Sequence, residues 1–288
     1  MDALFCNSIK SMGNVLFPII YVLILNAIGQ SDYGQGKEAQ GLPLICGHRG
    51  GLYKDLPENS FAAIDFTVRN CKSNPVIIEI DVRKSMDRTL FVLHDESIDR
   101  TTNGQGRIAA LSDVYLKSLF LKDAEGRLTQ ERIPTFDSLL NYSRDKAIIL
   151  MLDIKANVWK EVIERLVQEK LIHKTIILTF SPEDSKRVYA LSRDVKISCL
   201  IRAESDWNAI NALLIPTENL IAYVNQGTPQ KLIKQLKSNL LMIMADADEN
   251  AMKNIDPLSR KWYKKFVETR RVDILITDFP VDVSEKLR

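Results

Sequence analysis

Glu79 and Asp81 close the apolar run that starts at Val76. On a strand, positions i and i+2 point to one face. A third carboxylate, Asp153, ends the run Ala147 to Leu152. Three buried like charges repel, so such a cluster is tenable only with a compensating cation or proton. An all-oxygen set selects a hard divalent ion, Mg²⁺ or Ca²⁺, over zinc. The spacing equally allows one or more of them to face solvent, or to pair with Arg83 or Lys155. His48 follows the run Leu44 to Cys46, and His94 follows Leu90 to Leu93. Imidazole titrates near neutral pH, which makes the two a natural acid/base pair. Either one alone would read as a satisfied structural histidine; two at strand ends near carboxylates reverse that preference. Arg49 and Lys155 add positive charge suited to a phosphate-type oxyanion, with a salt bridge to the neighbouring carboxylates as the alternative for each. Residue types alone stop at metal-assisted phosphoryl chemistry.

These groups need a sheet whose strands end together. From Leu42 onward apolar runs alternate with amphipathic stretches, the pattern of a parallel sheet covered by helices. A helix opens at Asn59-Ser60, with Phe61, Ile64 and Val68 on one stripe. Strand patterns recur at Lys196–Ile201, Leu220–Asn225, Leu240–Ala245 and Ile274–Thr277, and Pro182 marks the start of another helix. The link Val82 to Thr89 is too short for a helical crossover and calls for a hairpin or a tight connection. The segment Asp95 to Ile133 is long and irregular, as functional loops and insertions are. The expected class is α/β: a TIM-type (β/α)8 barrel with an insertion after the third strand, chemistry at the C-terminal strand ends. Nine strand candidates are one more than a closed barrel takes, and an open doubly wound sheet is the alternative.

With 288 residues, 45% hydrophobic and 26% charged, the composition is globular. A net charge of +2 implies no broad attraction to nucleic acid. Residues 1–40 read as a signal peptide and polar linker ahead of a barrel domain at 41–288. Lys10 precedes the apolar run Val15 to Ile28, and Ala27-Ile28-Gly29 is a small-x-small site. Export to the periplasm or medium is expected; the alternative is an uncleaved anchor, although the run is shorter than the ~20 residues a spanning helix prefers. Processing leaves Cys46, Cys71 and Cys199, no disulfide framework, with buried free thiols expected at Cys46 and Cys199.

The chain resembles the glycerophosphodiester phosphodiesterase family. The likeness rests on Gly47-His48-Arg49-Gly50, Pro57-Glu58-Asn59-Ser60, Glu79-Ile80-Asp81-Val82 and Leu93-His94-Asp95. It continues through Asp99-Arg100-Thr101-Thr102-Asn103-Gly104, Asp153-Ile154-Lys155 and Thr277-Asp278-Phe279-Pro280. The resemblance implies an insertion-bearing barrel that hydrolyses a glycerophosphodiester to an alcohol and glycerol 3-phosphate. Carried over, His48 and His94 are the general acid and base, Glu79, Asp81 and Asp153 bind one divalent cation, and Arg49 and Lys155 hold the phosphate. Glu58, Asn59 and Asp278 are expected to support them. The partner is a small molecule, with weak membrane contact compatible and no oligomeric state implied. Two departures stand out. Asp153 replaces the Glu usual in bacterial members, as in the related sphingomyelinase D toxins. Met244-Ala245-Asp246-Ala247 replaces a Trp-Thr-x-Asn motif that walls the alcohol pocket. Rival readings are a phospholipase-D-like enzyme on intact lysophospholipid or sphingolipid and a non-catalytic barrel that binds a ligand; the complete histidine and carboxylate set speaks against the second.

A chain beginning near Ser31 is expected to be soluble and active, because a signal peptide is removed before the mature domain folds. Aggregation of that shortened protein in size-exclusion chromatography would overturn the reading.

Overall fold

The computed structural model describes residues 42–247 and 256–288; the expected signal segment lies outside them. Eight parallel strands close on themselves. They are β1 (Leu44–Gly47), β2 (Val76–Lys84), β6 (Ile148–Ile154), β7 (Thr175–Thr179), β8 (Lys196–Leu200), β9 (Leu220–Val224), β10 (Met242–Asp246) and β11 (Ile274–Thr277). β1 pairs with both β11 and β2, which closes the ring. The remaining strand candidate is β3 (Leu90–Val92), which turns back antiparallel on β2 with Val82 opposite Val92. The short link therefore makes a hairpin. The insertion follows the third strand in chain order, but that strand is no stave of the barrel.

Helices wrap the ring: α1 (Phe61–Asn70), α3 (Phe136–Ser143), α4 (Trp159–Gln168), α5 (Pro182–Leu191), α6 (Glu204–Asn211), α7 (Gln230–Ser238), α8 (Arg260–Arg270) and α9 (Pro280–Leu287). Ser60, Thr135, Ser181 and Ser259 each cap a helix start by accepting from the backbone N–H three residues on.

Strand parity decides which side chains meet. On β2, Ile78, Ile80 and Val82 pack outward against the helices, while Ile77 joins the barrel's inner cluster. Glu79 and Asp81 share Ile77's parity and so continue the inner column towards the C-terminal mouth. On β6, Ile149 and Met151 point inward, with Asp153 next in line. Cys46 on β1 precedes His48 in the same way, and Ile274 and Ile276 on β11 precede Asp278. On these four strands the inner column is thus apolar below and charged only at the mouth.

Residues 95–133 are more ordered than their composition suggests. They contain α2 (Asp113–Ser118) and the antiparallel pair β4 (Phe120–Lys122) and β5 (Leu128–Arg132). The segment has its own core of Ile98, Ile108, Leu116, Leu119, Leu121 and Ile133, packed on Phe91 and Leu93. Its two ends are tied together where Val92 N–H donates to the Pro134 carbonyl at 2.8 Å. Cys46 and Cys199 are buried free thiols and Cys71 is half-buried. Among the described residues no helix is long and apolar enough to cross a membrane.

Phe136 is fully buried between α3 and the sheet. Phe136→Ala is expected to cost about 3–5 kcal/mol in urea unfolding. Val114, 82% exposed on α2, should change stability by less than about 0.5 kcal/mol when replaced by Ala.

Candidate active site

His48 and Arg49 lie on a single turn that leaves β1 (His48–Gly50). Arg49 takes a left-handed conformation, φ 52°, which costs a non-glycine residue energy and is characteristic of functional sites. Gly51, at φ 108°, is required: a Cβ there would lie 2.7 Å from the Tyr53 hydroxyl. The turn is held on both sides. Gly51 N–H donates to the His48 carbonyl at 2.8 Å, and Asn59 N–H to the Arg49 carbonyl at 2.8 Å.

Glu79, Asp81 and Asp153 are buried, and each offers an oxygen within 4.8 Å of the others. Asp81 and Asp153 sit directly across the β2–β6 pairing. Burial, and then the neighbouring Asp81 charge, pushes the Glu79 carboxyl up to about 8. Burial likewise raises Asp153. That is the signature of a carboxylate set short of positive charge. Part of the deficit is met by Lys155, whose Nζ lies 2.5 Å from Asp153 Oδ2 and 3.5 Å from Asp81 Oδ1. Burial works against the Lys155 ammonium, but the Asp153 charge outweighs it and its pKa goes up. The Arg49 backbone N–H donates to Glu79 Oε2 at 2.9 Å, and the Asn59 amide donates to Asp81 Oδ2 at 3.0 Å. The donor set is all carboxylate oxygen, so the residues fit a hard divalent cation.

Each histidine is fixed by an aspartate. His48 Nδ1 is 2.7 Å from Asp278 Oδ1, and His94 Nδ1 is 2.8 Å from Asp95 Oδ1. A carboxylate only accepts, so Nδ1 carries the hydrogen and Nε2 is left for chemistry. His48 Nε2 lies 4.0 Å from Glu79. Burial pulls the His48 imidazole down, yet the hydrogen bond to Asp278 and the Glu79 charge outweigh it and lift it to about 9.

The two cations expected on the phosphate are engaged with carboxylates here. Arg49 Nη1 lies 3.1 Å from Glu58 Oε1, and its Nε is 3.8 Å from Asp81. That buried Nε has no hydrogen-bond partner among the described residues, a donor left over for an incoming oxygen. Arg83, a conceivable partner of the acidic set, instead donates to the His94 carbonyl at 2.8 Å. An open groove of about 460 Å³ runs off the cluster, lined by Asp153, Lys155, Trp159, Phe180 and Arg187.

Every residue singled out in the sequence reaches this mouth. Asp95 and Arg100 were not singled out, though both stand in quoted motifs. Asp95 supports His94, and Arg100 spans from Asp95 to Glu58. Adjacency to His94 was the only signal for Asp95.

The family described as Glycerophosphoryl diester phosphodiesterase matches residues 48–282. The chain belongs to that family. Relatives carrying the glycerophosphodiester phosphodiesterase name include YhdW of Bacillus subtilis strain 168, 29% identical over 244 residues, 82% of this chain and 94% of that protein. The Caldanaerobacter subterraneus enzyme is 32% identical over 168 residues, 54% of this chain and 66% of its own. A glycerophosphoryl diester phosphodiesterase crystal structure from Parabacteroides distasonis has a TM-score of 0.76 at 26% identity, covering 87% of this chain and 88% of that one. An Oleispira antarctica phosphodiesterase, solved with its product sn-glycerol-3-phosphate, has a TM-score of 0.64 at 20% identity, covering 85% of this chain and 97% of that one. At that identity the likeness is one of fold. Membership makes the chain an enzyme that opens phosphodiesters, on an eight-stranded (β/α)8 barrel.

A raised carboxyl binds its proton more tightly folded than unfolded. The stability it brings is complete below the ordinary value of 4.5 and is lost as pH rises through about 8 for Glu79. Thermal unfolding of chelator-treated protein should therefore show Mg²⁺ or Ca²⁺ raising the midpoint more at pH 8 than at pH 5. Saturation at 100 times Kd corresponds to about 2.7 kcal/mol. Asp153→Asn should shrink that shift, whereas Asp184→Asn, on α5 beside Arg187, should not. Equal cation shifts at both pH values would contradict the cluster assignment.

Proposed function

We propose that this enzyme hydrolyses glycerophosphodiesters to an alcohol and glycerol 3-phosphate, using a divalent cation on Glu79, Asp81 and Asp153 and proton transfer by His48 and His94. The observation that carries the reading is the pair of imidazole–aspartate dyads, at 2.7 and 2.8 Å, beside one buried carboxylate cluster. His48 stands next to Glu79, and His94 follows Leu93, whose N–H donates to the Asp81 carbonyl at 3.1 Å. The substrate class is supported by the family and by the glycerol 3-phosphate product of the Oleispira relative.

When bound, the cation supplies neutralisation and Lewis-acid polarisation of the phosphoryl oxygens. The chain's own groups do the rest. The unpartnered Arg49 Nε and the Lys155 ammonium bind the non-bridging oxygens and orient phosphorus. His48, its Nδ1–H fixed on Asp278, gives its Nε2 proton to the departing alkoxide. His94, its Nδ1–H fixed on Asp95, takes a proton at Nε2 from the attacking hydroxyl. That hydroxyl belongs to water or to the substrate's glycerol. In the second case a cyclic glycerophosphate forms first and is then opened by water. The groove at Trp159, Phe180 and Arg187 takes the part of the substrate beyond the phosphate. Export is part of this reading on the strength of the apolar run Val15 to Ile28, so the substrate is met outside the cytoplasm.

The test is turnover of purified protein on glycerophosphocholine, glycerophosphoethanolamine, glycerophosphoinositol and lysophospholipids, with and without Mg²⁺ or Ca²⁺. Chelation should abolish activity and a divalent ion should restore it. His48→Ala and His94→Ala should each lose about 10²–10⁴-fold on a glycerophosphodiester. An aryl phosphodiester, whose leaving group needs little protonation, should rescue His48→Ala and not His94→Ala. Near-normal rates for both folded variants on both substrates would refute the two-histidine mechanism.

A further inference from the structure

We infer that Arg100, carried by the insertion, is a positioning residue that holds the acid/base His94 and the phosphate-binding Arg49 in register. The inference rests on the phosphodiesterase reading above and assigns a residue that reading does not use.

Arg100 makes four short contacts. Nε donates to Asp95 Oδ2 at 2.6 Å and Nη2 to Asp95 Oδ1 at 3.1 Å. Nη1 donates to Glu58 Oε2 and Nη2 to Glu58 Oε1, both at 2.8 Å. One planar guanidinium thus grips two carboxylates bidentately, a geometry a lysine cannot reproduce. Each carboxylate has a second client. Asp95 Oδ1 holds His94 Nδ1, and Glu58 Oε1 receives Arg49 Nη1. The result is an unbroken chain of hydrogen bonds, His94–Asp95–Arg100–Glu58–Arg49. It links a residue after β3 to the turn after β1, which share no strand pairing. The Arg100 hydrogen bonds hold the Asp95 carboxyl well below the usual carboxylate range. Burial works to raise Glu58, and Arg100 outweighs it.

Arg100 can serve as a strap because the loop bearing it is rigid. The Thr102 N–H and hydroxyl both donate to the Ile98 carbonyl, at 3.0 and 2.8 Å. Gly106 N–H donates to Asp99 Oδ1 at 2.6 Å. Lys122 N–H reaches the Thr101 carbonyl at 2.8 Å, and Phe120 N–H reaches Asn103 Oδ1 at 2.9 Å, which lays the loop on β4. Gly104 fits because a Cβ would come within 2.5 Å of Leu119. The side chains of Asp99, Thr102 and Asn103 bond within the insertion; Arg100 is the one that leaves it. A purely local role would need one carboxylate, not one on each side of the mouth.

The experiment compares Arg100→Gln, Arg100→Lys and Asp95→Asn in the full enzyme with the divalent ion present. For Arg100→Gln, kcat on a glycerophosphodiester should fall about 10- to 100-fold, the usual effect of removing a group that orients a functional side chain. KM and the melting temperature should change little. Added guanidinium should restore part of the rate, and Arg100→Lys should recover less than wild type. The double variant with Asp95→Asn should lose less than the product of the two single losses, since both changes break the Asp95 arm. The His94 ring signals in NMR should move in Arg100→Gln even without substrate. Unchanged kcat with unchanged His94 signals, or losses that multiply in the double variant, would overturn the inference. Where Arg100→Gln proves unstable, the kcat and the His94 signals of Arg100→Lys decide. An inactive wild type on every glycerophosphodiester would instead sink the underlying reading, while the His94 signals would still report on Arg100.

Discussion

Three carboxylates share one buried mouth, and the rest of the site is arranged around that cost. Glu79, Asp81 and Asp153 end inward-facing columns of β2 and β6 whose lower members are Ile77, Ile149 and Met151. Apolar filling below gives the charges no solvent to fall back on. Compensation has to come from the side or from above. The protein supplies some: Lys155 beside Asp153, the Arg49 N–H on Glu79, the Asn59 amide on Asp81. The proton affinities of Glu79 and Asp153 stay high even so. A divalent ion would remove that imbalance, and an all-carboxylate donor set suits a hard, oxygen-ligated cation.

The groups that answer the carboxylates are kept in place by backbone that is itself constrained. Arg49 and Asn59 both adopt left-handed conformations, φ 52° and 56°. Asn59 N–H bonds back to the Arg49 carbonyl. The turn after β1 and the start of α1 are therefore one unit, and their polar contacts to β2 reinforce it. The histidines follow a common plan despite their different origins. Each has an aspartate on Nδ1, one from the end of β11 and one from its own chain neighbour. Both imidazoles are thereby turned so that Nε2 remains for a reacting proton.

The insertion is a structural participant. It has a core of its own, closed at its base by the Val92–Pro134 contact, and it brings Asp95 and Arg100 to the mouth. Further ties bind it to the loop after β1: Lys54 pairs with Glu125 at 3.1 Å, and Arg127 pairs with Asp55. A segment with few apolar residues per length is ordered here by burying Ile98, Leu116 and Leu121 against Phe91.

What the sequence determined by itself is local and periodic. Apolar runs of strand length mark the staves, and i, i+2 spacing places Glu79 and Asp81 on one face; both follow from backbone geometry. Ser60 and Pro182 mark helix starts for equally local reasons. The run Leu90 to Leu93 counts as one strand among nine, because apolar composition does not distinguish a stave from a hairpin return, although the short link Val82 to Thr89 already calls for a hairpin or a tight connection. Only pairing against Val82 decides that. The order within residues 95–133 was hidden because its core forms between positions far apart in the chain. The final helix, Pro280–Leu287, is short and has Pro280 as its one local start signal. The partners of the charged groups were equally invisible: His48 meets Asp278 across 230 positions and Asp81 faces Asp153 through strand register. Whether Arg49 and Lys155 pair with carboxylates or stay free, and that Arg100 joins Asp95 to Glu58, depends on distances the closed barrel sets. Sequence fixes which chemistry is present; the distances that let charges compensate one another exist only once the ring has closed.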